Sequence, residues 1–163
     1  MQKQIERVAL VTGANRGIGF EIARQLALKK MIVLIGARHD EKGMEAQKRL
    51  ADQGLDVHFI SLDVTDPTTM EAAIGRIKDK FRRLDVLVNN AGIMLDAETR
   101  LLELGVILFQ NTLETNTFGP LLLCQACVPL MKKNRYGRIV NMSSTLGSLT
   151  DIANPDSCLL YTS

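Results

Sequence analysis

The sequence predicts an α/β protein, a doubly wound parallel sheet in three αβα layers. Short apolar runs alternate with longer stretches of helical periodicity throughout the chain. The runs are continuously apolar, which suits strands covered on both faces by crossover helices. A length of 163 residues fits one domain with a core that needs no disulfide staples.

In chain order, Val8-Ala9-Leu10-Val11 is a buried strand running into the turn Thr12-Gly13. From Gly17, the positions Ile18, Ile22, Leu26 and Lys29 keep helical spacing. Met31 to Ile35 is a second strand. His39 to Gly54 is a polar helix with Met44, Ala46 and Leu50 on its apolar face. Val57 to Leu62 is a third strand, and Pro67 begins a helix carrying Met70, Ala73, Ile74 and Ile77. Asp85 to Val88 is a fourth strand, closed by Asn89-Asn90-Ala91-Gly92. Helical material follows from about Val106 to Met131, then a fifth strand, Arg138 to Met142. No repeat, low-complexity tract or linker divides the chain.

Composition excludes several classes. Twenty Lys and Arg against eighteen Asp and Glu leave +2, with both signs mixed, so net charge makes no case for nucleic acid or an anionic membrane. The most apolar stretch, Gly119 to Met131, is too short and interrupted to span a bilayer. No signal peptide is apparent, and three cysteines make no disulfide framework. A soluble cytoplasmic protein is expected. Cys124 and Cys127 form C-x-x-C inside an apolar helix without a second Cys/His pair, so they read as buried thiols and no metal site is expected. His39 and His58 have no partner legible from sequence.

Chemistry enters at Thr12-Gly13-Ala14-Asn15-Arg16-Gly17-Ile18-Gly19, between a buried strand and an amphipathic helix. A diphosphate needs free backbone N–H groups at a helix N-terminus and no side chain in the way. Gly13 supplies the tight turn, Gly17 the close approach, and Gly19 lets helix and strand pack. The spacing is G-x-x-x-G-x-G, and the G-x-x-x-x-G-K-[ST] of phosphate-loop NTPases is absent.

This run resembles the cofactor-binding signature of the short-chain dehydrogenases/reductases. Asn89-Asn90-Ala91-Gly92 is similar to that family's second signature, and Asn116 in Thr115-Asn116-Thr117-Phe118-Gly119 to its third. Asn141-Met142-Ser143-Ser144 is similar to its fourth. The resemblance covers roughly residues 5 to 150, looks closest to carbonyl-reductase-like members, and implies a Rossmann-type sheet lacking its last strand or strands. On this reading 1–157 is an incomplete NADP-binding domain. Residues 158–163 depart from the family's pattern and read as a non-native tail.

The residue after the second strand decides how the adenosine ribose is read: an acid bonds a free 2′-OH, and an arginine accommodates a 2′-phosphate. Here Arg38 stands there, no acid appears before Asp40, and Arg16 offers a second guanidinium. Two cations facing a dianionic phosphate favour NADP(H) over NAD(H). The resemblance assigns Asp63 and the Val64 backbone to the adenine. Asp66 is better placed to cap the following helix, which leaves Asp63 free. Asn15 and Ile18 belong to the same cofactor turn, and Asn90, Ala91 and Gly92 look like the floor beneath the cofactor.

The resemblance implies reduction of a small-molecule carbonyl by a Ser, an Asn and a Tyr with a Lys four residues later. Ser144 matches the Ser, which orients the carbonyl, and Asn116 the Asn, which helps hold a water-linked proton path. Tyr161 would need a Lys at position 165, beyond Ser163, and is not assigned as proton donor. The expectation is a fragment of an NADPH-dependent reductase with little turnover of its own. The alternative is a catalytically silent NADP-binding module: a longer reading frame restoring Tyr-x-x-x-Lys favours the enzyme, and a genuine stop codon favours the module. Substrate identity is out of reach, and monomer or homo-oligomer is left open.

Overall fold

The computed structural model describes residues 6–95, 101–144 and 150. The expectations that fall on Tyr161 and on the tail 158–163 lie outside these residues. Five strands form one parallel sheet: β1 (Val8–Thr12), β2 (Ile32–Ala37), β3 (Val57–Ser61), β4 (Val86–Asn89) and β5 (Arg138–Asn141). Their order is β3-β2-β1-β4-β5. Leu10 faces Leu34 on one side and Leu87 on the other, and Val88 faces Val140. The helices are α1 (Gly17–Leu28), α2 (Asp40–Ala51), α3 (Pro67–Arg76), α4 (Val106–Leu113) and α5 (Gly119–Lys133).

Continuous apolar strands produce two cores, because successive side chains point to opposite faces. Ala9, Val11, Val33 and Ile35 meet Ala23 and Ala27 of α1 and Ala46 and Leu50 of α2. Val8, Leu10, Leu34 and Leu87 meet Met70 and Ile74 of α3 and Leu123 and Cys127 of α5. That makes the three αβα layers of the Rossmann-type fold. On β5 all four residues are exposed.

The stretch from Val106 to Met131 is helical as expected: α4 runs without a gap through a π turn, Glu114–Phe118, into α5. Pro120 accounts for the π turn. It has no N–H to give the carbonyl of Asn116 four residues earlier, so the regular ladder is interrupted there. Asp66 caps α3 as expected, accepting a bond from Thr68 N–H at 2.8 Å.

At the opposite edge, Asp85 is fully buried and ties three strands together. Its carboxylate accepts from Val8 N–H at 2.8 Å and from Nε and Nη2 of Arg83, both at 2.7 Å. Its own N–H donates to Val8 and its carbonyl accepts from Arg138 N–H. No helix among the described residues is long and apolar enough to cross a membrane.

Candidate cofactor and active site

A cavity of about 370 Å³ lies among the segments that follow β1, β2, β3 and β4. It sits at the switch point of the sheet, where β1 is flanked by β2 and β4 and the connections diverge. Gly13, Asn15, Arg16, Gly17, Ile18 and Gly19 form one wall.

The glycines are needed there for different reasons. Gly13 has φ +63°, and a Cβ on it would come within 2.9 Å of the Ala91 Cα. Gly17 has φ +58° with nothing within 4 Å of a Cβ, so its backbone faces open space. A Cβ on Gly19 would strike Asn90 Nδ2 and lie 2.7 Å from the Gly13 carbonyl. Arg16 is the N-cap residue of α1 and its side chain makes no capping bond. The N–H groups of the first turn therefore remain available, at the positive end of the helix dipole. An open cradle, bare donors and no acid in that turn suit a diphosphate.

Thr12, almost fully buried, joins this wall to the floor. Its Oγ1 accepts from the N–H groups of Asn90 at 3.0 Å and Ala91 at 2.9 Å, and donates to the Val88 carbonyl at 3.4 Å. Asn90 Nδ2 returns bonds to the carbonyls of Thr12 (2.9 Å) and Gly13 (3.3 Å). Asn90, Ala91 and Gly92 thus line the cavity as a small-residue shelf fixed to the glycine turn.

Beyond β2 the lining carries Arg38, His39 and Lys42 opposite Arg16. Among the described residues no acid pairs with Arg16, Arg38 or Lys42. Asp40, the first acid after β2, is turned toward β3, where Ser61 Oγ donates to it at 2.8 Å. Lys42 escaped the sequence reading, although a lysine in the first turn of a helix opposes the dipole and was a usable signal.

Asp63 and Val64 line the cavity beyond β3. Asp63 is not free as expected: its Oδ1 accepts from the N–H (2.9 Å) and Oγ1 (2.7 Å) of Thr65, closing its own turn.

Asn116, in the π turn, spends both side-chain atoms on one residue. Its Oδ1 accepts from Ile93 N–H at 2.9 Å and its Nδ2 donates to the Ile93 carbonyl at 2.7 Å. That grip holds the end of the shelf, with Gly92 and Ile93 in the lining and Asn116 behind them. Ser144 is exposed, three residues beyond β5 on the same strand-end side as the cavity, and is not part of its lining. The structure therefore brings the cofactor residues together around one space and leaves Ser144 and Asn116 outside its lining.

Cys127 is buried, and desolvation, with a smaller contribution from Cys124, pushes its thiol up to about 12. It stays protonated and inert near neutral pH. No metal-binding cluster occurs among the described residues.

The family model described as short chain dehydrogenase matches residues 7–155. The chain belongs to the short-chain dehydrogenase family. (+)-Neomenthol dehydrogenase of Arabidopsis thaliana is 39% identical over 94% of this chain and 59% of the relative. Carbonyl reductase (NADPH) 3 of Mus musculus is 41% identical over 86% of this chain and 50% of its own length. A solved metagenomic short-chain oxidoreductase in complex with NADP superimposes with a TM-score of 0.80 at 32% identity, covering 85% of this chain and 62% of that one. The chain thus spans between half and three-fifths of the curated relatives it matches.

Proposed function

We propose that this protein is the cofactor-binding part of an NADPH-dependent reductase that converts a small-molecule carbonyl to an alcohol. The observation that carries the choice of cofactor is the set of cations around the cavity, Arg16 after β1 with Arg38 and Lys42 after β2, none paired with an acid among the described residues, and Asp40 turned away. An acid facing the ribose would favour NAD(H), and guanidiniums favour a 2′-phosphate. NADPH, when bound, supplies the hydride.

The chain's own residues do the rest. The α1 N-terminus and Gly17 hold the diphosphate, Asp63 and Val64 border the adenine, and Asn90 to Gly92 form the shelf. Asn116 positions that shelf through Ile93. Ser144 is assigned to orient the carbonyl, where a hydrogen bond stabilises charge developing on oxygen. The 163 residues include no Tyr followed four positions later by Lys. This chain alone is therefore expected to bind cofactor and turn over little.

Titration by the fluorescence of the reduced cofactors tests the reading. NADPH should bind more tightly than NADH, and Arg38→Asp should weaken NADPH about tenfold or more while sparing NADH, since a charge-assisted bond contributes about 1.5–3 kcal/mol and exposure screens part of it. Equal losses for both cofactors would overturn the assignment.

A further inference from the structure

The edge opposite the cavity concentrates positive charge that the whole-chain value of +2 conceals. The segments leading into the five strands there are 6–7, 29–30, 52–56, 78–85 and 132–138. They hold eleven Lys and Arg against five Asp and Glu, a net +6, which leaves −4 for the rest of the chain. Of the eleven, Arg83 is the one held in an ion pair among the described residues, with buried Asp85.

Backbone conformation sets three of these residues apart. Lys30 (φ 63°), Arg82 (φ 59°) and Arg135 (φ 54°) are the non-glycine residues with positive φ among those described. Each occupies the turn into β2, β4 or β5, after α1, after a second π turn at Ile77–Phe81 and after α5 respectively, and all three are exposed. The equivalent turn into β3 uses Gly54 at φ 75°. Glycine is the least strained residue in that conformation. A cation gains from the helix C-terminus roughly what the left-handed backbone loses, so helix termini alone give no net reason for three such substitutions.

The cations occupy an area and not a line. Lys29 and Lys30 end α1, which packs on one face of the sheet, whereas Lys132 and Lys133 end α5, which packs on the other. Between β2 and β5 the strand starts extend over about 15 Å, given a strand spacing near 4.8 Å. The aromatic rings at this edge already carry cations: Tyr136 has Arg7 at 4.1 Å and Arg138 at 5.1 Å, and Phe81 has Lys80 at 5.3 Å. Cations already engaged on these rings compete with base stacking, the usual grip on a single nucleic-acid strand.

We propose that this edge is a peripheral docking surface for an anionic lipid bilayer, with the cofactor cavity facing away from the membrane. A broad, basic surface whose rings are engaged by its own cations fits lipid headgroup phosphates and carboxylates, which attract each exposed Lys or Arg near the bilayer. Reversible electrostatic contact follows, weakened by salt.

The test is co-sedimentation of the 163-residue chain with phosphatidylcholine vesicles, with and without one-third phosphatidylserine, at low and physiological salt. Binding should require phosphatidylserine and weaken with salt. The triple variant Lys30→Gly, Arg82→Gly, Arg135→Gly should melt no lower than the parent yet lose affinity about fivefold per cation removed, about a hundredfold in all. Three results would each overturn the proposal: no phosphatidylserine-dependent binding by the parent, unaltered vesicle binding by a folded triple variant, or tighter binding to a single-stranded oligonucleotide than to the acidic vesicles.

Discussion

Replacing Gly17 with alanine separates two roles of the glycine turn, because the structure predicts unequal effects on folding and on binding. Gly17 has φ +58°, and a Cβ there would touch nothing within 4 Å. The folding cost is then backbone strain alone, about 1–2 kcal/mol for an L-residue in the left-handed region. For a chain of this size, each kcal/mol lowers Tm by about 2–4 °C. The same methyl would stand in the cradle where the diphosphate must approach the α1 N–H groups. Displacing a charge-assisted contact there costs at least about 1.4 kcal/mol, a tenfold rise in Kd. Thermal unfolding by circular dichroism measures the first effect. A fluorescence titration with NADPH measures the second, with no tryptophan in the chain to interfere. A variant that folds, melts a few degrees lower and binds NADPH within twofold of the parent would refute the placement of the diphosphate.

Further outcomes follow from other parts of the molecule. Asp85→Ala should cost about 3–5 kcal/mol in urea unfolding, because it strands the Arg83 guanidinium and the Val8 N–H beside it; a loss below about 1 kcal/mol would show that the carboxylate is not a tie between strands. Thr12→Val keeps the shape but leaves the N–H groups of Asn90 and Ala91 without an acceptor, so stability should fall by about 1–3 kcal/mol, with weaker NADPH binding. Cys127 should resist thiol reagents at pH 8 in the folded protein and react on unfolding. Its folded pKa, near 12, lies above the ordinary 9.0, so the unfolded chain ionises first and stability should fall as pH rises from about 9 toward 12. Rapid native labelling of Cys127, or a flat stability profile over that interval, would contradict its burial.

Much of this molecule was legible in the sequence because its signals are local. The apolar runs, Pro67 after Asp66, and the glycines between a strand and a helix each state their structure within a few residues. What escaped was non-local or depended on side-chain direction. Asp63 looked free once Asp66 took the cap, yet Thr65, two residues on, was an adequate donor for it. Asp40 sits where an acid could reach a ribose, and only the pairing of β2 with β3 brings Ser61 to turn it away. The π turn at Asn116 was readable in hindsight from Pro120, because proline removes an N–H at a definable position. That Asn116 grips Ile93, twenty-three residues away in the chain, needed coordinates.

The Thr12 hydroxyl and the Asn90 amide join the glycine turn and the shelf from Asn90 to Gly92 into a single piece. A ligand arriving at such a site finds its receptor already shaped, with the ordering of both loops carried by folding itself. Cofactor occupancy should therefore show up as added thermal resistance of the whole sheet, with little movement of the loops that touch it.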